Sequence, residues 1–251
     1  MASSGRKKRG NSGRSGLTGY FAATRSALVG FAVTLPLLLL YNVGLLMPGA
    51  DQMNAADLMT GIVMRYAGLK GFLIVNGLLV LTSVVLMLVL FRRGLFRPGQ
   101  WVALCIEGLV YGLAMGFGVV AVLKEVHVLA IASKHQWPAA QALAMAAGAG
   151  YWEELVFRLG LVGGAMHLAR RVFRDHTWSN RFKRILVGAA AIALSSLLFS
   201  AAHYLGSESF EPYTFWYRSL SGVVFAAIFL VRGFAVCAYT HFLYDVVVMV
   251  F

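Results

Sequence analysis

Two adjacent carboxylates and an arginine lie in an otherwise apolar stretch of the chain, at Glu153, Glu154 and Arg158. On an α-helix Glu154 and Arg158 share one face and are close enough to form an ion pair. Glu153 points about 100° away and has no cation on its own helix. Because burial without a counter-charge strengthens a carboxylate as a proton acceptor, Glu153 is a candidate general base for activating water. A buried ion pair that only holds helices together is the alternative interpretation.

Later apolar segments contain two histidines and an aspartate. His203 lies at the outer end of an apolar segment, four residues after Phe199, and is either catalytic or an ordinary interfacial residue. His241 and Asp245 share a helix face, where Asp245 could orient the imidazole or simply form a hydrogen-bonded pair with it. Together with the first group, these side chains are sufficient to activate water on a peptide carbonyl.

The composition of the whole chain indicates what must position these residues. Of the 251 residues, 59% are hydrophobic and 13% are charged, whereas soluble proteins carry about 25% charged residues. We therefore predict an all-α fold, a polytopic transmembrane helix bundle with six to seven spans. The predicted spans cover residues 26–47, 71–91, 101–123, 139–169, 185–205, 214–231 and 233–251. Residues 50–70 are expected to form an outside loop with a short amphipathic helix.

The net charge of +12 is distributed in a way that favours a membrane over a nucleic acid. Sixteen of the 22 Lys and Arg fall in residues 6–25, 92–97 and 170–184 or at Arg232, at the edges of apolar runs. This pattern follows the positive-inside rule and predicts a cytoplasmic N-terminus, contacts with anionic lipid headgroups and no nucleic-acid partner. Residues 1–19 are expected to be a disordered basic cytoplasmic tail, and residues 20–251 an integral membrane domain.

If the polar residues form one site, they must lie at similar depths in the bilayer. At 1.5 Å per helical residue, Glu153 and His203 lie about 26 and 28 Å from the basic residues beside their segments, but His241 lies only about 14 Å from Arg232. Either the helices of Glu153 and His203 extend into the cytoplasm, or the turn at Arg232 and Gly233 lies within the bilayer.

Three motifs in successive apolar segments resemble the CPBP family, which comprises CAAX proteases and bacteriocin-processing enzymes and is also called the Abi family. The motifs are Glu153-Glu154-x-x-x-Arg158, Phe199-x-x-x-His203 and His241-x-x-x-Asp245. The resemblance covers about residues 139–251, which we expect to form the catalytic core. It implies an intramembrane endopeptidase that hydrolyses a peptide bond of a membrane-associated peptide or protein, and a location in a bacterial inner membrane. By the same resemblance, Glu153 with His203 would activate the water, supported by Glu154 and Arg158.

Asp245 departs from the family pattern. The resemblance implies that His241 and residue 245 stabilise the oxyanion, but the prenyl-protein proteases of the family carry Asn there, and an ionised Asp cannot donate a hydrogen bond. Asp245 could act in its protonated form, orient His241 or help to hold a metal. Cofactor use is therefore open, and Glu153, His203 and His241 are a plausible ligand set for a divalent metal such as zinc.

Two functions without proteolysis remain alternatives. A membrane immunity or scaffold protein of the same fold would keep the polar cluster for stability alone. A proton-coupled transporter would use the Glu and His residues as a relay, although the sequence shows no internal repeat of the kind that many transporters contain.

Overall fold

Helices account for most of the described chain, as the sequence predicted. The computed structural model describes residues 16–47, 53–125, 138–174, 177–205 and 208–250, and contains no strand within these ranges. The all-α fold is thereby confirmed. In chain order the helices are α1 (Leu17–Thr24), α2 (Ala27–Gly44), α3 (Leu58–Arg92), α4 (Pro98–Glu125), α5 (Ala139–Gly148), α6 (Gly164–Val172), α7 (Trp178–Ala202), α8 (Pro212–Arg232) and α9 (Phe234–Val250). A π-helical segment, Ala149–Gly163, joins α5 directly to α6, and a 3₁₀ turn, His203–Leu205, follows α7.

The lengths of these helices suit a membrane bundle. Among the described residues, α2, α3, α4, α8 and the helical stretch Ser179–Leu205 are each long and apolar enough to cross a bilayer. The shorter α9 is also apolar, and α5, the π segment and α6 form one continuous helical rod. This arrangement agrees with the predicted six to seven spans.

The predicted short helix in residues 50–70 is present: residues 58–67 are helical, and a kink at Gly68 (φ +59°, ψ −165°) separates them from the long apolar part of α3. Helix α3 already begins at Leu58, where the Asp57 side chain caps it by accepting a hydrogen bond from the Thr60 N–H at 2.9 Å. Arg65 and Lys70 lie on its exposed surface. They lie on either side of the kink at Gly68, before the apolar part of α3 that is long enough to cross a bilayer.

The predicted tail of residues 1–19 lies largely outside the described residues. The described chain starts at Gly16, and Leu17 is already the first residue of α1. The boundary placed at residue 19 therefore falls inside a helix.

Helix α9 lies at the centre of the bundle. It packs against α2, α4, α5, the π segment and α8, and every residue from Phe234 to His241 is buried. Helix α3, in contrast, packs mainly on α2 and exposes apolar side chains on most of its surface. A helix that is apolar on all sides and exposed in this way is suited to lipid.

The turn between α8 and α9 is buried, which bears on the question of depth. Arg232 is 5% exposed and forms an ion pair with Glu107 of α4. Gly233 has φ +91°, and a Cβ at this position would lie 2.9 Å from the Thr24 carbonyl oxygen, so only glycine fits. Arg232 is therefore paired inside the protein, which is compatible with a turn within the bilayer.

Candidate active site

The π segment carries Glu153 and Glu154 against the central helix. Its wider turns follow an i→i+5 pattern, which is rare in proteins and frequent at functional sites. Gly150 permits close contact, because a Cβ there would lie 2.6 Å from the Ala238 carbonyl oxygen of α9. Both carboxylates are buried as a result, and His241 of α9 lies beside them.

Glu154 is the most connected group of the site. Its Oε1 lies 2.7 Å from His241 Nδ1 and 3.2 Å from Arg158 Nη1. Its Oε2 accepts a hydrogen bond from the Cys237 thiol at 2.9 Å. The ion pair between Glu154 and Arg158 is therefore present, and Glu154 also links the π segment to α9.

Arg158 has a largely aromatic environment. Its guanidinium carbon lies 4.2 Å from the centre of the Phe199 ring and 5.2 Å from that of Phe225. Its Nε, Nη1 and Nη2 make no well-aligned hydrogen bond among the described residues, although Nη1 is close to Glu154. Cation–π attraction thus supplements a single carboxylate contact in holding this fully buried charge.

His241 lies between three carboxylates. Because the carboxylate of Glu154 can only accept, His241 Nδ1 must carry the proton of that short hydrogen bond. The other nitrogen, Nε2, lies 3.4 Å from Asp245 Oδ2 and 3.8 Å from Glu153 Oε2. The ring also stacks on Phe225, with 4.4 Å between centroids. The shortest contact that orients the imidazole thus comes from Glu154 and not from Asp245.

Glu153 and His203 lie side by side at the site. His203 Nδ1 donates to the Phe199 carbonyl oxygen at 2.9 Å, so that in the neutral ring Nε2 is an acceptor. This Nε2 lies 4.0 Å from Glu153 Oε1. Glu153 Oε2 is buried and has no hydrogen-bond partner among the described residues. A separation of this size between two acceptors is suited to a bridging water.

A cavity of about 240 Å³ gives access to part of this cluster. Glu153, His203 and Asp245 line it, together with Met53 and Asn54 from the connection between α2 and α3. The remaining predicted residues, Glu154, Arg158 and His241, are more deeply buried than the cavity wall. The structure thus brings all six predicted site residues together, three of them at the cavity surface.

A family model described as type II CAAX prenyl endopeptidase Rce1-like matches residues 135–247. The match is consistent with the CPBP family, and we call residues 135–247 the CPBP region. The predicted resemblance is confirmed, and the matched residues include all six of the site. The family is one of proteases, and with the apolar helices it identifies an integral membrane protein. Comparisons with curated proteins and with solved structures found no match.

The predicted metal ligands can be compared with the arrangement of side chains in the site. Within the described ranges, no three or more His, Cys, Asp and Glu side chains form a group that could hold a metal ion. The predicted ligands Glu153, His203 and His241 do meet, with oxygen-to-nitrogen distances of 4.0 and 3.8 Å. The Nδ1–H of His241 donates to Glu154, an arrangement that also orients histidines whose other nitrogen binds a metal, so that the ligand set stays a prediction.

Sequence reasoning missed two residues that contact the carboxylates. Cys237 donates to Glu154; its position four residues before His241 on the same helix face was the available signal. Asn54 donates from Nδ2 to Glu153 Oε1 at 2.6 Å. It lies 99 residues from its partner and outside the CPBP region, and no spacing rule connects the two.

Proposed function

We propose that the chain is an intramembrane endopeptidase in which Glu153 activates the water that hydrolyses a peptide bond of a membrane-associated peptide or protein. The observation that carries this proposal is that Glu153, whose Oε2 has no hydrogen-bond partner among the described residues, lies beside His203 at the wall of one cavity. That cavity is lined by the region that matches an endopeptidase family.

In the proposed reaction Glu153 takes one proton from a water that also donates to His203 Nε2. The water oxygen bonds to the carbonyl carbon of the substrate, and the carbonyl electron pair moves to oxygen. When the tetrahedral intermediate collapses, the C–N bond breaks and the proton held by Glu153 passes to the departing nitrogen. General acid and base catalysis of this kind contributes about 10²- to 10⁴-fold to a rate.

In this scheme His241 and Asp245 stabilise the negative charge that develops on the substrate carbonyl oxygen. In its doubly protonated form His241 donates from Nδ1 to Glu154 and presents Nε2–H towards Glu153 and Asp245. A protonated Asp245, which lines the cavity, would supply a second donor. Glu154 and Arg158 hold His241 in place and do not touch the substrate in this scheme.

Replacement of Glu153 by Gln tests the proposal. The variant keeps the size and one acceptor oxygen of the side chain but cannot take a proton, so cleavage should fall by at least about 100-fold. The measurement is cleavage of membrane proteins in cells that express the wild type or the variant, followed by identification of new N-termini. Undiminished cleavage by the variant would refute the proposal. Metal analysis of the purified protein, with and without chelator, tests the metal question separately.

We further propose a bacterial inner membrane with the N-terminus in the cytoplasm. The exposed arginines of the α3–α4 turn, at residues 92–97, and those after α6 then lie on the cytoplasmic side, which satisfies the positive-inside rule. The cavity is lined by residues 53–56, which connect α2 to α3. This connection lies at the other end of α3 from the α3–α4 turn. In this orientation, substrates reach Glu153 from the non-cytoplasmic side.

The basic end of α6 is our candidate contact for anionic lipid headgroups. His167, Arg170, Arg171 and Arg174 line a cavity of about 520 Å³. Replacement of the three arginines by Gln should reduce the phosphatidylglycerol that remains bound to the purified protein, measured by native mass spectrometry. Arg65→Gln, on the exposed surface of α3, is the control. Equal retention by both variants would contradict this contact.

A further inference from the structure

The connection between α2 and α3 reaches over the catalytic carboxylate. Asn54, in this connection, is 8% exposed and donates from Nδ2 to Glu153 Oε1 at 2.6 Å. Met53, Ala55 and Ala56 line the same cavity as Glu153. Residues 53–56 thus contribute directly to a site whose six predicted residues all belong to residues 135–247.

The orientation of the Asn54 amide is fixed by its own backbone. Its Oδ1 accepts a hydrogen bond from the Ala56 N–H at 2.9 Å, which forms a turn of the Asx type. Because the oxygen is engaged in this turn, the NH₂ group is the end that faces Glu153. The side chain is therefore presented to the carboxylate as a donor.

The backbone around Asn54 is anchored on both sides. The Asn54 N–H donates to the hydroxyl of Tyr41 at 3.0 Å, and Tyr41 is fully buried in α2 with its ring against Gly148. The Asn54 carbonyl oxygen accepts from the Asp57 N–H at 2.9 Å, and Asp57 caps α3. These contacts position the amide independently of Glu153.

We propose that Asn54 is a positioning residue for Glu153, a role that rests on the proposed function. A donor on Oε1 offsets part of the cost of burying an ionised carboxylate. It also fixes the rotation of the carboxylate, which leaves Oε2, the oxygen without a hydrogen-bond partner among the described residues, free to take the proton of water. The α2–α3 connection thereby sets the geometry of the catalytic base.

A purely structural hydrogen bond is the competing interpretation, and the chain offers a matched control. Asn42 of α2 donates to Asn76 of α3 at 2.8 Å, so that a second amide contact joins the same two helices away from the cavity. Asn76→Ala removes that contact without touching Glu153. Asn54→Asp keeps the acceptor of the Asx turn but replaces the donor with a second carboxyl, and Asn54→Ala removes both.

The first measurement is catalytic and uses the full chain in detergent or nanodiscs with a farnesylated CAAX peptide as the probe. We expect Asn54→Asp and Asn54→Ala to lower kcat by about 10- to 100-fold, the effect of losing a charge-assisted hydrogen bond, with KM changed by less than about threefold. Asn54→Asp should also move the acidic limb of the pH–rate profile to higher pH, because two adjacent carboxyls share a proton. His203, His241, Asp245 and Glu208 face the same space and are unchanged in these variants.

The second measurement requires no substrate. Dicyclohexylcarbodiimide reacts with protonated carboxyl groups in membranes, and mass spectrometry of the peptide that contains Glu153 reports its labelling as a function of pH. We expect both Asn54 variants to extend this labelling to higher pH than the wild type, and Asn76→Ala to match the wild type. Glu153→Gln supplies the unlabelled blank.

The outcomes separate the two proposals. Unchanged labelling and unchanged kcat in the Asn54 variants would overturn the positioning role, as would equal changes in Asn76→Ala. If Glu153→Gln retained full cleavage while the labelling shift was present, the proposed function would fail and the contact between Asn54 and Glu153 would stand. A labelling shift combined with loss of cleavage in Glu153→Gln supports both.

Discussion

Two buried ionic clusters lie along helix α9, one beside its start and one around its middle. In the first, which we call the Glu107 cluster, Glu107 accepts from Arg232 through both oxygens, at 2.5 and 2.9 Å, and from the hydroxyl of Tyr20. Arg232 also contacts Thr24 at 3.3 Å and lies over the Phe21 ring. In the second, the Glu153 cluster, Glu153 Oε2 and the nitrogens of Arg158 make no hydrogen bond among the described residues.

Both clusters border a cavity, so the presence of a cavity does not by itself separate a catalytic cluster from a structural one. The cavity beside Glu107 is the larger, at about 740 Å³ against 240 Å³. The difference lies in the pairing of polar atoms. The carboxylate of the Glu107 cluster is saturated and can only stabilise, whereas the carboxylate of the Glu153 cluster retains the acceptor atom that chemistry on a substrate requires.

Matched Glu→Gln variants should separate the two clusters most clearly. Glu107→Gln leaves Arg232 buried without a counter-charge and should lower the free energy of unfolding by about 3 kcal/mol, while the folded fraction keeps its kcat. Glu153→Gln should lose cleavage by at least about 100-fold and keep its thermal stability. Thermal unfolding of the purified variants beside the cleavage assay provides both readouts. A loss of kcat in folded Glu107→Gln would contradict the purely structural role of the Glu107 cluster.

Arg→Lys variants should give a smaller contrast. Arg232 uses Nε and Nη2 together on one carboxylate, a fork that the single ammonium of lysine cannot reproduce. Arg158 contacts Glu154 through Nη1 alone, at 3.2 Å. We expect Arg232→Lys to destabilise by about 1 to 2 kcal/mol more than Arg158→Lys. Equal thermal shifts would mean that the bidentate contact contributes little.

Asp245→Asn should have the smallest effect on activity, and it tests whether the Glu153 cluster needs a carboxylate at this position. Asn is the residue that the resemblance to prenyl-protein proteases implies at this position. Its amide N–H supplies a hydrogen-bond donor at the cavity without the side chain having to be protonated. We expect kcat to stay within about threefold of the wild type at neutral pH, with less dependence on pH, because no protonated carboxyl is then needed. Loss of activity comparable to that of Glu153→Gln would show instead that the carboxylate of Asp245 is required.

The sequence predicted the site residues better than the chain path around them. Glu154 with Arg158, and His241 with Asp245, follow helical spacing, which is local and survives even in the π segment. The burial of Arg232 depends on which helices pack together. The contact between Asn54 and Glu153 joins residues 99 apart, and such pairings are set by tertiary structure that no periodicity reports.

The buried pair of Glu107 and Arg232 has a consequence for how the protein enters the membrane. Synthesis delivers α4 before α8, so Glu107 arrives in the bilayer about 125 residues ahead of its cation. An unpaired charge at the centre of an inserting helix costs about 2.5 to 3.5 kcal/mol, and α4 compensates with an otherwise strongly apolar sequence. Arg232 follows at the tip of the α8–α9 hairpin and meets a carboxylate already in place. We therefore expect α8 and α9 to enter the bundle as a pair, with the ion pair formed when they dock against α4.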